Sequence, residues 1–176
     1  MITTKRQERN NRYGFALVEL LVAISIIVIL SISLLFQQSK FDSSVQIANV
    51  AYEVATVIQK AQRYGASSVA GTFSDTDVGY GVYFNRGSQA VILFRDTDDN
   101  KNYNSGDSDV EEYTISGKTE VFEIRNSGGN SVSEISIVFV RPDPEPSTSA
   151  QIIIENDGET RTIEVSQTGQ VQVKNN

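Results

Sequence analysis

Oxygen-bearing side chains recur at alternate positions in an acidic stretch that runs from residue 95 to residue 111. Counted from the first of them, carboxylate or amide oxygens fall at positions 1, 3, 5, 7, 9 and 12. Calcium takes about six to eight oxygen ligands, and alternate residues of a tight loop can point toward one ion. The spacing therefore predicts a calcium site as a candidate cofactor site. The candidate ligands are Asp96, Asp98, Asn100, Asn102, Asn104 and Asp107.

This spacing resembles that of an EF-hand calcium loop, with two departures. Lys101 stands at the sixth position, where that loop has Gly, and Asp107 stands at the twelfth, where it has Glu. The flanking residues are strand-like, so the site would be a calcium loop within a β domain. The alternative interpretation is a solvated Asn/Asp-rich turn, which needs no metal.

A single acid, Glu19, lies in an apolar run of 22 residues from Phe15 to Phe36. An ionised carboxylate in a bilayer costs about 2.5–3.5 kcal/mol at mid-depth. Glu19 therefore either stays near the interface, where it reaches water and the positive helix N-terminus, or pairs with a free α-amine.

The apolar run also has the length of a membrane span. As a helix it would cover roughly 33 Å, and the hydrocarbon core of a bilayer is about 30 Å thick. The 14 residues before Phe15 contain four basic side chains and one acidic one, a net charge of +3. Positive residues on this side predict a single-pass protein of the cytoplasmic (inner) membrane, with the N-terminus on the cytoplasmic side and the body outside.

The segment around Gly14 resembles the leader of type IV prepilins and of the pseudopilins of type II secretion. That leader has a basic stretch, Gly, Phe, a Leu-Val-Glu-Leu sequence and an apolar helix. Gly14, Phe15 and residues 17–21 match it in order, whereas Ala16 stands where Thr is commoner. The resemblance implies that a prepilin peptidase cleaves between Gly14 and Phe15 and N-methylates Phe15. It also implies that Glu19 pairs with the N-terminus of a neighbouring subunit and sets the register of assembly.

The body is similar to the GspH/FimT group of minor pseudopilins. The similarity rests on GYGVYFN, on the acidic segment FRDTDDNKNYNSGD and on a terminal GQVQV strand. It implies a structural, minor subunit of a type IV pilus-like or type II secretion filament. The implied partners are other pilin or pseudopilin subunits, the prepilin peptidase, an inner-membrane assembly platform and, before assembly, membrane lipid.

Two other readings of the N-terminal segment remain open, a plain membrane anchor and a secretory signal peptide. A signal peptide has a shorter apolar core of about 7–15 residues. The mature N-terminal residue separates the three hypotheses: Phe15 for a prepilin, Met1 for an anchor and Leu34 for a secreted protein. The functional alternative is a membrane-anchored extracytoplasmic β domain that binds a ligand or a surface, with or without calcium.

Composition argues against an enzyme and against a nucleic-acid partner. The chain has no His and no Cys, so Ser-His and Cys-His nucleophile pairs and ordinary zinc sites cannot form. The net charge of −7, of which the leader contributes +3, leaves −10 on the rest of the chain. An acidic body does not favour binding to phosphate backbones.

The elements that must position these residues are a long helix and a set of short strands. Apolar residues recur at helical spacing from Ile47 to Ala61, and the first helix breaker is Gly65. Beyond it, about eight strand-like runs alternate with turn residues, with the clearest hairpin signal at Asn156-Asp157-Gly158. The predicted fold is α+β, a long transmembrane helix followed by an antiparallel β-sheet domain. The predicted segments are a leader (1–14), a transmembrane and assembly helix (15–36), its amphipathic continuation (37–66) and a β-rich domain (67–176).

Overall fold

The computed structural model describes residues 17–67, 78–140 and 145–175. These residues form one helix followed by nine strands. The predicted α+β class is confirmed, because a helix precedes two antiparallel sheets. Gly14 and Phe15, the predicted cleavage site, lie outside the described residues.

Helix α1 runs from Leu17 to Ser67. The chain divides into two compact units between Lys40 and Phe41, so the helix contributes to both. In the first unit, every side chain described from Leu17 to Ser33 is exposed. Its sequence is apolar on all faces and, unlike that of an amphipathic helix, has no single apolar stripe.

Within the residues that the structure describes, no helical stretch has both the length and the apolar character needed to cross a membrane.

In the second unit, α1 buries one stripe. Its buried apolar residues recur every three or four positions, as an amphipathic helix requires. They are Ile47, Val50, Ala51, Val54, Ala55, Ile58 and Ala61. The sequence has its first helix breaker at Gly65 and predicted the helical continuation to residue 66, and α1 runs through Gly65 to Ser67. At Gly65 the helix backbone lies directly against Phe139.

The strands form two antiparallel sheets. The first has the order β3–β2–β1–β6 and the second has the order β5–β4–β7–β8–β9. In chain order the strands are β1 (Gly79–Asn85), β2 (Ala90–Asp96), β3 (Ser108–Thr114), β4 (Glu120–Asn126), β5 (Ser131–Val132), β6 (Glu134–Phe139), β7 (Ala150–Asn156), β8 (Glu159–Val165) and β9 (Val171–Asn175).

Two strands depart from the sequence-based expectation of about eight. Strand β5 was not predicted, because it has two residues in a Gly/Ser/Asn-rich segment. Strand β3 starts at Ser108, within the acidic stretch 95–111 in which no strand was predicted. Its acidic residues have low β propensity, but pairing with β2 at the sheet edge leaves them in solvent.

The β7–β8 hairpin follows the predicted turn. Asn156 pairs with Glu159, which leaves Asp157 and Gly158 as a two-residue loop. Both have positive φ, 49° and 84°, as a type I′ turn requires. The turn fixes the register that buries Ile152, Ile154 and Ile163 together.

One hydrophobic core joins both sheets to the second part of α1. The first sheet contributes Phe84, Leu93 and Phe139, and the second contributes Ile124 and Ile152. This core holds the β2–β3 loop, which carries the predicted calcium ligands, on a rigid support.

Candidate functional site

The acidic loop connects two paired strands. Asp96 is the last residue of β2, and Asp107 directly precedes β3. Arg95 pairs with Ser108 across the ladder, so the two ends of the loop are neighbours in space. Antiparallel pairing therefore brings the first and the last predicted ligand together, although eleven positions separate them in sequence.

Three carboxylates converge in this loop. One oxygen from each of Asp96, Asp98 and Asp107 lies within 4.8 Å of the others. Calcium–oxygen distances are about 2.3–2.6 Å, so two ligands of one ion lie at most about 5 Å apart. The separation of these oxygens fits a shared divalent cation.

Backbone hydrogen bonds hold two of these carboxylates in place. Asp96 accepts hydrogen bonds from the backbone N–H of Asn100 at 3.2 Å and of Lys101 at 2.9 Å. Asp107 accepts from the N–H of Thr97 and of Asn104, both at 2.9 Å. The loop backbone thus wraps around the carboxylates at its two ends.

The three predicted Asn ligands shape the loop through hydrogen bonds. The side-chain amides of Asn100 and Asn104 donate to Asp98 Oδ2 at 2.7 and 3.1 Å, and that of Asn102 donates to the Asn100 carbonyl at 3.2 Å. The side-chain oxygens of Asn100 and Asn104 each accept a backbone N–H two residues further on, at 2.6 Å. The structure therefore brings the carboxylates of Asp96, Asp98 and Asp107 together, and the side chains of Asn100 and Asn104 donate hydrogen bonds to Asp98.

The loop has a left-handed backbone at the position where an EF-hand has Gly. Lys101, at the sixth position, has φ 62°, and Asp99 has φ 54°. Left-handed backbone is unfavourable for a residue such as Lys. The hydrogen bond from its N–H to buried Asp96 offsets part of that cost.

The electrostatics of the cluster favour a cation. Asp96 is 1 % exposed. Burial raises the pKa of its carboxyl, and the neighbouring Asp98 and Asp107 carboxylates raise it further, although the two backbone N–H groups act in the opposite direction. Burial acts in the same sense on Asp98, but hydrogen bonds from Asn104 and Asn100 leave its pKa below the usual range. A divalent cation would relieve the repulsion among these acids.

Sequence reasoning missed Tyr103, which anchors the loop to the first sheet. Its backbone N–H donates to Ser136 Oγ and its hydroxyl donates to Asp109, both at 2.9 Å. Its ring lies 4.8 Å from that of Tyr83 and 5.1 Å from that of Phe94. The hydrogen bond to Asp109 raises the pKa of Tyr103. A single aromatic residue within a polar loop was the available signal.

Glu19 lies in the first turn of α1 and is exposed. It is the single acidic or basic residue among the described side chains up to Ser33. The serines of this segment do not present free hydroxyls. Ser25, Ser31 and Ser33 each donate to the carbonyl four residues earlier, at 2.8–3.1 Å, as serines do in apolar helices. The helix surface around Glu19 is therefore apolar.

Comparison with known proteins gives one sequence family and one fold. The family described as the prokaryotic N-terminal methylation motif matches residues 9–35. The fold is similar to that of the minor pseudopilin EpsH from the type II secretion system of Vibrio cholerae, with a TM-score of 0.52 and 12 % sequence identity. The alignment covers 73 % of this chain and 92 % of EpsH. No curated protein matches the chain.

Proposed function

We propose that this chain, which carries the methylation motif of prepilin-type proteins and the fold of a minor pseudopilin, is a structural subunit of a type IV pilus-like or type II secretion filament. The observation that carries the proposal is the joint occurrence of that motif at one end and that fold in the rest of the chain. Neither feature supplies an enzymatic site, and both suit a subunit that packs against its neighbours.

The exposed apolar helix supports assembly through the N-terminal segment. Large apolar side chains from Leu17 to Ile32 are 49–79 % exposed in the single chain. Soluble proteins rarely expose a continuous apolar surface of this size. Lipid before assembly and neighbouring helices afterwards are the environments that would cover it.

In this proposal, a prepilin peptidase cuts after Gly14 and methylates the amine of Phe15. The new amine is cationic, and it provides a partner for Glu19 of an adjacent subunit. An inner-membrane platform then moves the subunit from the membrane, N-terminus inside and body outside, into the filament. Because an unpaired charge in an apolar bundle is strongly penalised, the pair would set the axial register.

Replacement of Glu19 by Ala tests the assembly step. We expect Glu19→Ala to be cleaved and folded but reduced at least about tenfold in sheared filaments, because breaking a buried ion pair costs about 3–5 kcal/mol. Asp42→Ala is the matched control, since Asp42 is an exposed acid on the same helix. Immunoblots of filaments measure assembly, and mass spectrometry of the mature N-terminus measures cleavage and methylation at Phe15.

Wild-type incorporation of Glu19→Ala would exclude the register role. If the wild-type chain itself were absent from filaments and retained Met1 in cells with an active peptidase, the alternative of an anchored β domain would hold instead.

A second role, calcium binding by the acidic loop, is favoured by the convergence of Asp96, Asp98 and Asp107. The carboxylate oxygens of the cluster would coordinate the ion. The side chains of Asn100, Asn102 and Asn104 would either hold the loop or turn their oxygens toward the ion. Its purpose would be to stiffen the β2–β3 loop of the assembled subunit.

Calcium titration of the full chain in detergent micelles tests this role. We expect heat of binding and a rise in melting temperature with calcium, because a ligand that binds the native state stabilises it. Asp98→Asn should weaken binding by tenfold or more. The matched control is Asp99→Asn, a neighbouring carboxylate outside the cluster. Absence of both heat and thermal shift at millimolar calcium would contradict the role.

A further inference from the structure

A cleft of about 360 Å³ lies beside strand β6. One side consists of Glu134, Ile135 and Ser136 of β6, and Val132 of β5 lies in the same lining. β6 is the last strand of the first sheet, and β5 is the last strand of the second. The cleft is therefore placed where the edges of the two sheets meet.

The backbone of β6 faces this cleft with alternate residues. The backbone N–H and C=O of Val138 point away from β1. The carbonyl accepts a hydrogen bond from the Ser147 N–H at 2.7 Å, and the N–H donates to Ser147 Oγ at 3.1 Å. Backbone groups of an antiparallel strand alternate in direction, so Ser136 and Glu134 point the same way. Odd-numbered residues point the other way, toward β1. Ser133 agrees with this alternation, because its carbonyl accepts a hydrogen bond from the Arg86 N–H on the β1 side.

The chain already adds an extended segment to this edge, but only over part of its length. Pro146 forms an isolated antiparallel bridge with Phe139, and Ser147 bonds Val138 next to it. The segment then enters β7 at Ala150. Within the described part of the chain, the outward backbone groups of Ser136 and Glu134 have no hydrogen-bond partner.

The lining indicates the chemistry of an occupant. It contains one cation, Lys101, and one anion, Glu134, so its charges cancel. Lys101 has no ion pair among the described residues. The remaining polar lining consists of amides and hydroxyls, such as Asn102, Asn126 and Thr148. The volume lies at the low end of the roughly 300–1,000 Å³ of ligand pockets.

We propose that this cleft is a docking site for a short extended segment of another polypeptide chain, without net charge, which adds as a strand to β6. Unpaired N–H and C=O groups on a sheet edge are satisfied by an extended backbone. Small side chains fit the volume, and a neutral segment matches the balanced charges. Pro146 and Ser147 already pair with one part of this edge. The proposed site is the next part, at the two outward residues Ser136 and Glu134.

The experiment uses the full, isotope-labelled chain in detergent micelles and the neutral peptide acetyl-Thr-Val-Ser-Val-Thr-Val-amide. We expect saturable NMR shifts of the Glu134 and Ser136 amides. Glu134→Pro removes both the carboxylate and one outward backbone N–H. Glu134→Ala removes the carboxylate but keeps that N–H, so the pair isolates the effect of the N–H. Pro is tolerated at the start of an edge strand whose N–H faces outward. We expect Glu134→Pro to bind at least tenfold more weakly than Glu134→Ala.

A second variant, Thr148→Arg, fills the cleft without altering β6 and should weaken binding to a similar extent. Preserved amide shifts of β1 show that each variant is folded. Equal binding by the Pro and Ala variants would overturn the proposal. Shifts confined to Val110 and Glu112 would also overturn it, because they would place the peptide on the other edge strand, β3. The carbohydrate maltohexaose is a second probe. Saturable shifts at Glu134 and Ser136 with maltohexaose but not with the peptide would also overturn the proposal.

Discussion

The hydroxyl of Thr119 is fully buried and has no hydrogen-bond partner among the described residues. Its carbonyl, in contrast, accepts from Gln89 Nε2 at 3.1 Å. A buried hydroxyl without a partner costs about 1–3 kcal/mol of stability. Thr119 directly precedes β4, so the position combines a defined backbone contact with an unsatisfied side chain.

We expect Thr119→Val to raise the free energy of unfolding by about 1 kcal/mol, because it replaces the hydroxyl by a methyl group of similar size. Chemical denaturation measures the change. Thr114→Val is the control, since Thr114 is exposed on β3 and surface changes are usually within about 0.5 kcal/mol. A loss of stability in Thr119→Val would show that the hydroxyl has a partner.

At the scale of elements, the contact of α1 with β6 depends on Gly65. A β-carbon at this position would lie 2.9 Å from both the carbonyl carbon and the β-carbon of Phe139. The obstacle is largely backbone, which cannot turn aside as a flexible side chain can. Gly in a helix costs about 1 kcal/mol relative to Ala, so the residue is retained against helix propensity.

We expect Gly65→Ala to lower the free energy of unfolding by about 1–3 kcal/mol, the cost of an overpacked contact. Thermal and urea unfolding measure it. Gln59→Ala, at an exposed position of α1, should change it by no more than about 0.5 kcal/mol. Equal or greater stability of Gly65→Ala would mean that α1 moves away from β6 without loss.

Polar contacts fix the second part of α1 against both sheets. Lys60 forms an ion pair with Glu111, and Tyr113 donates a hydrogen bond to Glu53. These contacts join one face of the helix to β3, where alternate residues point the same way. On the second sheet, Asn156 Nδ2 donates to Gln46 Oε1 at 3.1 Å. The contacts orient the helix, while the apolar stripe supplies most of the stability.

At the scale of the whole molecule, every core residue that the structure describes lies in the second unit. Its most N-terminal member is Ile47, and the boundary between the units is at Lys40 and Phe41. The described side chains of the first unit, Leu17 to Ser33, form an exposed apolar surface, and none of them belongs to that core. The β domain therefore has the requirements of an independent folding unit.

We expect a fragment of residues 41–176 to be soluble and to unfold in one cooperative transition. Circular dichroism and the dispersion of amide NMR signals test this expectation. The full chain without detergent is the comparison, and we expect it to aggregate through the exposed residues from Leu17 onward. A fragment that lacks a cooperative transition would show that the first unit is needed for folding.

The fold was predicted from local patterns to a large extent. Helical spacing from Ile47 to Ala61 and the Asn156-Asp157-Gly158 turn each follow from backbone and side-chain geometry over a few residues. The sheet orders did not follow, because the pairing of β1 with β6 joins segments about fifty residues apart. Loop closure leaves many such pairings open until the core selects one.

The candidate site shows the same division. The sequence by itself determined the spacing of acids from Asp96 to Asp107 and the isolated charge of Glu19, since both are properties of consecutive residues. Only the tertiary structure decided that three carboxylates converge, that Tyr103 anchors their loop and that a cleft opens along β6. Each of these depends on which strands become neighbours, and that choice is made by burial of side chains distant in sequence.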